Sequence, residues 1–401
     1  MKILMVSSGY YPDSCGGVEV ITQSLAEGLK KKGIEVSIVC SGEENRNYEH
    51  NGIKVYIVKP REITIFTKKR IVYILNRILQ MYNPLNKKYF KNILKIENPD
   101  IVHIHMVRKL SLSILAVCSK EKIPMISTLH ECFSLWNFNP FDDFNNILIS
   151  KPPFICRQIR KIHRNLTAKV SFITSPSKTT IEKYKSEGYY KNVKDKEILN
   201  SLPFKIENAI YERDIKIRKI KNTKLRKFLI ISRLEPFKGI EVALKAFHNI
   251  KNENIELHIA GKGSLEKLIN EYQKIDKRIF FHGYVIGEEK ETLFRNTDVL
   301  LFPTVSFETF GLVCLEAYYY SMPIIATNVE ATRRLINDGL TGTLLKDESI
   351  EELQKIILEY CCLDNLLKKV KKCYLKIDQF NYQTFIEEHI SLYNKLFEIN
   401  N

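Results

Sequence analysis

Apolar residues recur along the chain in two alternating rhythms. Short β-branched runs, the first being KILMVSS at 2–8, alternate with stretches whose apolar positions lie three and four apart. Residues 18–32 place Val18, Ile21, Leu25 and Leu29 on one helical face, and Gly33 stands where a glycine closes a helix. Further strands are expected at 35–40, 54–58, 101–105, 125–129 and 170–175, with helical patterns between most of them. The alternation then restarts, with strands at 227–232, 256–260, 279–282, 299–302 and 323–327 and helices at 240–250 and 265–274. Such a repeat predicts an α/β fold of two tandem doubly wound, Rossmann-like domains built on parallel sheets. The charged stretch 200–227, broken by Pro203, reads as the connection between domains 1–205 and 206–380. The last helices, from about 350, have no strand partners, and 381–401 is expected to be a helix packing back toward the first domain.

Composition narrows the class. At 401 residues, 44% hydrophobic and a mean hydropathy of −0.19, the chain has the makings of large soluble cores. No apolar run approaches the ~18 residues of a membrane span, and the N-terminus turns polar at Ser7, too early for a signal peptide. A cytoplasmic location is therefore expected. The nine cysteines are scattered with no CxxC pair, which argues against a disulfide framework or a zinc site.

The formal charge of +16 implies an anionic partner. Between 59 and 95, ten Lys or Arg face the single Glu62, interleaved with apolar residues. This stretch is either a solvated helical face or a patch for an anionic membrane surface, where each cation contributes ~1 kcal/mol. It carries no recognisable nucleic-acid module, and nucleic acid is not an expected partner.

Candidate chemistry gathers at strand exits. After the first strand, SGYYPDSCGGV leads into a helix through Gly16 and Gly17. Backbone N–H groups there can approach a phosphate, although a loop needing only glycine's dihedral angles reads the same way. In the second half, Arg233 and Lys238 flank a loop between strand and helix. Arg can grip a diphosphate bidentately and Lys supplies a point charge; a surface ion pair of Arg233 with Glu235 is the alternative. Gly261 and Gly263 form a further glycine turn after a strand.

In FPTVSFETFGLVCLEAYYY, from 302, Glu308 stands on a loop rim and Glu316 inside the helix opened by Gly311. The amides of Gly311, Leu312 and Val313 favour a phosphate by roughly 0.3–1 kcal/mol. A buried Glu316 needs hydrogen-bond donors. Ligand hydroxyls serve, as with ribose in dinucleotide sites, and the helix dipole alone is the plainer stabiliser. His130, at a strand end, can donate to a substrate hydroxyl or move protons. His103 and His105 share one strand face and read as core or site lining rather than metal ligands.

Together these segments resemble the retaining glycosyltransferases of family 4, which have the GT-B fold. Glu308 and Glu316 in SFETFGLVCLEA match that family's E-x7-E signature, and YYPDSCGGVE, STLHE, SRLEPFKG, GKG and HGYV follow in the family's order. The resemblance implies a nucleotide-diphospho-sugar donor, UDP- or GDP-linked, held mainly by the second domain, with the active site in the cleft between domains. Glu316 would take the ribose hydroxyls, Glu308 the sugar hydroxyls, and Arg233 and Lys238 the leaving diphosphate, with no metal and no cofactor. Gly16, Gly17, Gly261, Gly263, Phe310, Gly311, Leu312 and Val313 would line the substrate, and His130 would contact the transferred sugar. The expected reaction moves a hexose-type sugar to a lipid-linked or saccharide acceptor, with a nucleotide-sugar 2-epimerase on the same fold as the alternative. Departures from the family pattern are Thr309 in place of glycine in EGFG, Ala209 in place of glycine after Asn208, and Glu131 where aspartate often follows the histidine.

Overall fold

The computed structural model describes residues 1–12, 16–60, 76, 79, 82–107, 110–131, 154–305 and 307–400. Most of the basic stretch 59–95, and the whole of 133–151, lie outside these residues. The chain divides into two compact units, 1–200 with 383–401 and 201–382.

The first unit carries an eight-stranded sheet in the order β3-β4-β2-β1-β5-β6-β7-β8. Its strands are β1 (Lys2–Val6), β2 (Glu35–Ser41), β3 (Arg46–His50), β4 (Ile53–Val58), β5 (Ile101–Ile104), β6 (Met125–Thr128), β7 (Phe172–Ser175) and β8 (Lys194–Glu197). All neighbours pair in parallel except β3 and β4. Helices α1 (Gly17–Lys31), α2 (Lys87–Glu97), α3 (Ser113–Lys120), α4 (Phe154–Thr167) and α5 (Lys178–Ser186) connect them. β1, β5 and β6 are buried on both faces, as central strands of a doubly wound sheet must be. In this unit two of the described strands were not foreseen in the sequence. β3 and β8 are polar edge strands with exposed side chains, so neither shows an apolar run.

The second unit contains β9 (Arg226–Ile231), β10 (Ile255–Ala260), β11 (Ile279–Phe281), β12 (Val299–Phe302), β13 (Ile324–Thr327) and β14 (Gly342–Leu345), in the order β11-β10-β9-β12-β13-β14. Every pair is parallel. This is the doubly wound order 3-2-1-4-5-6, whose switch point falls between β9 and β12. Helices α6 (Ile206–Lys221), α7 (Ile240–Asn249), α8 (Glu266–Ile275), α9 (Gly287–Asn296), α10 (Leu312–Tyr319), α11 (Glu330–Leu335), α12 (Ile350–Glu359), α13 (Leu363–Cys373) and α14 (Leu375–Gln379) complete it. One face of the sheet packs Phe228, Ile230, Leu257 and Leu301 against Leu244 and Phe247 of α7 and Ile357 of α12.

Most of the stretch expected to connect the domains is the 16-residue helix α6. Its buried stripe is Ala209, Glu212, Lys216 and Ile220, spaced three and four apart but half of it charged. Lys216 donates to the backbone carbonyls of Phe294 (2.9 Å), Arg295 (3.1 Å) and Thr297, neutralising the C-terminal end of α9. Glu212 accepts from Arg295 at 2.9 Å. Hydrogen bonds to a helix end and one ion pair thus replace the apolar periodicity that marks most helices. The last helix, α15 (Tyr382–Asn400), belongs almost entirely to the first unit, where the Tyr393 hydroxyl meets His103 Nδ1 at 2.6 Å.

Candidate active site

In the second unit the candidate residues converge on the carboxyl ends of β9, β10 and β12, at the switch point. After β9 the chain forms a short 3-10 turn, Pro236–Lys238, and Gly239 caps α7 with φ +68°. A Cβ on Gly239 would lie 1.8 Å from the Pro303 carbonyl oxygen, so glycine lets this loop rest against the one leaving β12. Val305 N–H donates to the Phe237 carbonyl at 3.0 Å across the same seam. After β10, Gly261 holds φ +138°, and a Cβ there would meet the Ser232 carbonyl oxygen at 1.9 Å. Leu234 N–H donates to the Lys262 carbonyl at 2.9 Å, and the Leu234 carbonyl accepts from Leu265 N–H at 2.9 Å. Gly263 approaches the same carbonyl, 2.5 Å from where its Cβ would stand. Backbone contact therefore binds the three loops into one platform.

Side chains on that platform form two carboxylate–ammonium pairs. Lys238 Nζ lies 2.6 Å from Glu308 Oε2, both partly buried. Lys238 also sits 5.6 Å from the Phe302 ring centroid and 5.8 Å from that of Phe237. Glu316, on the second turn of α10 and 16% exposed, receives Lys290 Nζ of α9 at 2.5 Å on Oε1. The donor that a buried Glu316 requires is thus partly supplied by the protein itself. Lys290 escaped the sequence reading; nothing in its helix marks it except the distance to Glu316.

Arg233 is exposed, with its guanidinium 5.4 Å from the Phe237 ring centroid. Among the described residues it makes no ion pair; Glu235 instead accepts from the Ser264 hydroxyl at 2.6 Å. Gly311, at φ +81°, caps α10; Cys314 N–H turns back to the Gly311 carbonyl at 2.9 Å, and among the described residues no side chain takes the amides of Leu312 and Val313. These N–H groups remain available to an anion. Leu312 and Val313 are half-buried, whereas Phe310 is buried with its ring edge-on to Phe380 at 5.7 Å, so Phe310 can face a ligand only through its backbone. Thr309 is buried as well.

In the first unit, Gly16 caps α1 and Gly17 begins it, after the loop leaving β1. His130 follows β6, and its Nε2 lies 2.9 Å from Nδ1 of the buried His105. Burial, with His389 nearby, pushes His130 down to about 3, and burial holds His103 and His105 well below the ordinary histidine range. All three rings are therefore neutral at physiological pH. Among the described residues no group of three His, Cys, Asp or Glu side chains could hold a metal ion, and Cys40, Cys118, Cys314, Cys361, Cys362 and Cys373 are unbridged. No described helix is long and apolar enough to cross a membrane.

Comparison with known proteins bears directly on this geometry. Residues 15–193 match the family described as Glycosyltransferase Family 4, and residues 212–373 match Glycosyl transferases group 1. An uncharacterized glycosyltransferase of Methanocaldococcus jannaschii is 24% identical over 419 aligned positions, covering 100% of this chain and 99% of the relative. The phosphatidyl-myo-inositol mannosyltransferase of Mycolicibacterium smegmatis is 24% identical, covering 86% of this chain and 81% of its own. Among solved structures, Anabaena HepE in complex with UDP and glucose superposes with a TM-score of 0.70 at 16% identity, covering 98% of this chain and 99% of that one. The sucrose-phosphate synthase of Thermosynechococcus elongatus gives 0.75, also at 16% identity, with 99% of each chain covered. The chain belongs to the group 1, family 4 glycosyltransferases and has their GT-B fold.

Proposed function

We propose that the protein is a retaining hexosyltransferase that moves a sugar from a UDP- or GDP-linked donor to a lipid-linked or saccharide acceptor. The observation that carries this reading is the pairing of Lys238 with Glu308 beside the uncapped N-terminus of α10. A diphosphate at those amides gains the helix dipole, the Lys238 charge and the exposed Arg233 fork. As the bond between sugar and diphosphate breaks, negative charge accumulates on the leaving group. Fixed cations and amides stabilise that charge more strongly than they stabilise the bound donor. Lys238 and Arg233 supply this role without a metal.

Glu308 orients the sugar hydroxyls and Glu316 the ribose hydroxyls, with the backbones of Gly16, Gly17, Gly261, Gly263 and Phe310 around the donor and His130 at the transferred sugar. Support for the nucleotide comes from HepE, solved with UDP and glucose, and from a starch synthase structure bound to ADP and acarbose. Support for a lipid-linked acceptor comes from the mannosyltransferases of phosphatidyl-myo-inositol among the relatives. The basic stretch 59–95 is proposed to hold the enzyme to the anionic inner face of the cell membrane.

A thermal-shift screen with uridine, guanosine and adenosine diphosphate sugars tests the donor assignment. A rise in midpoint with one nucleotide class, growing with its concentration as linkage requires, is the expected result. A flat response to all three contradicts it.

A further inference from the structure

A row of polar side chains, joined by hydrogen bonds and one ring contact, runs through the first unit toward His130. The Tyr393 hydroxyl meets His103 Nδ1 at 2.6 Å, and His103 Nε2 meets Thr128 Oγ1 at 2.7 Å. The His103 and His105 rings lie 4.1 Å apart by centroid. His105 is 4% exposed; its Nδ1 meets His130 Nε2 at 2.9 Å, while its own Nε2 is buried with no partner among the described residues. His130 Nδ1 likewise has no protein partner among the described residues.

One proton sits in the contact between the two histidines, and its location decides what His130 shows to a ligand. If His130 Nε2 donates, His105 must carry its proton on Nε2, a buried N–H with no acceptor. If His105 Nδ1 donates, only a lone pair is left at that buried nitrogen. Orphaned buried N–H groups are rarer than under-satisfied acceptors, so the second arrangement prevails. Burial keeps both rings neutral, which removes the doubly protonated form from the choice.

We propose that His105 is a positioning residue that donates its Nδ1–H to His130 Nε2, locking His130 as the Nδ1–H tautomer that offers a hydrogen bond to a hydroxyl of the transferred sugar. The last clause rests on the glycosyl-transfer reading above; the tautomer itself does not.

Long-range nitrogen–proton correlation NMR on the whole chain tests it. The wild type is expected to show a protonated Nδ1 and a bare Nε2 on His130. His105→Phe removes the donor and is expected to shift His130 toward the Nε2–H form. His105→Asn, whose amide nitrogen can stand near the imidazole Nδ1, is expected to restore the wild-type tautomer. Release of sugar from UDP-glucose and GDP-mannose is followed alongside. His105→Phe is expected to lower kcat about five- to ten-fold, the worth of one hydrogen bond, with KM nearly unchanged and with recovery in His105→Asn. A wild-type His130 protonated at Nε2, or a His105→Phe chain whose His130 tautomer does not move, overturns the proposal. If the tautomers behave as stated and neither nucleotide sugar turns over in any variant, the positioning role stands and the donor reading fails.

Discussion

The Lys238 ammonium lies 2.6 Å from the Glu308 carboxylate, joining the loop after β9 to the loop after β12 across 70 residues of sequence. Arg233, on the same loop as Lys238, is exposed and unpaired among the described residues. The two cations therefore let the proposed catalytic role be tested apart from a structural one. Lys238→Met strands a partly buried carboxylate and is expected to lower stability by about 1–3 kcal/mol. Arg233→Met is expected to leave the melting midpoint unchanged. Both are expected to reduce donor turnover by about 10²–10³ in kcat, the usual cost of losing one donor to developing charge. Steady-state kinetics beside calorimetry check this; an Arg233→Met enzyme of full activity removes Arg233 from the site.

Lys290 holds one oxygen of Glu316, and in the proposed function the second is the one offered to ribose. The wild type is accordingly expected to bind UDP or GDP about 10- to 100-fold more tightly than the matching 2′-deoxynucleotide, since a charged acceptor would lose its hydroxyl partner. Glu316→Gln is expected to narrow that preference to a few-fold. Isothermal titration with each pair gives the ratio, and an undiminished preference in Glu316→Gln assigns the ribose to another residue.

Gly239 and Gly283 share nearly the same positive φ, +68° and +67°, but not the same surroundings. A side chain at Gly283 meets nothing within 4 Å, whereas one at Gly239 runs into the Pro303 carbonyl. Gly283→Ala is expected to cost about 1–2 kcal/mol, the left-handed penalty alone. Gly239→Ala is expected to cost clearly more, because backbone must also move. Denaturant midpoints of the two variants measure the difference; equal losses would mean that the loops are not held by close approach.

The histidines of the first unit predict a pH dependence of stability. Burial lowers His389 to about 4, with the Lys196 charge adding to it, and His130 to about 3. Burial also holds His103 and His105 well below the ordinary histidine range, and around them stand Tyr393 and the Lys196–Glu388 pair at 3.0 Å. Because the folded values are depressed, the unfolded chain takes up protons first as pH falls. Stability is full above the unfolded value near 6.5 and declines as pH drops toward 4, by at most about 2 kcal/mol per histidine at pH 5. His389 also holds the Phe385 carbonyl at 2.8 Å, so His389→Phe is expected to lower the midpoint at pH 7 yet flatten its fall between pH 7 and pH 5. Calorimetry at the two pH values reads the slope; an unaltered slope contradicts a buried neutral His389.

Much of this molecule was legible in its sequence because burial on two faces leaves unbroken apolar runs. β9, β12 and β13 fall within a residue of their expected bounds for that reason. What stayed hidden lacks that signature. Edge strands β3 and β8 are polar, although Asn51-Gly52, both at positive φ, is a two-residue hairpin signal that pointed to β3 and went unused. The four-residue β14 begins with a glycine, whose Cβ would strike the Ile324 carbonyl 2.3 Å away. Helix α6 hides its inward face behind Glu212 and Lys216, whose partners lie on and just beyond α9. At the candidate site the strand-exit cations and carboxylates were readable from spacing. Lys290, brought to Glu316 by helix packing, and the His105–His130 contact between neighbouring strands were not, since no local pattern encodes a partner on another element.

A crystal structure of the chain with the nucleoside diphosphate picked out by thermal shift is the most direct test of the central claim. Density for the terminal phosphate is expected against the Gly311, Leu312 and Val313 amides, within hydrogen-bond reach of Lys238 and Arg233. A nucleotide bound elsewhere, with that helix end bare, would contradict the account.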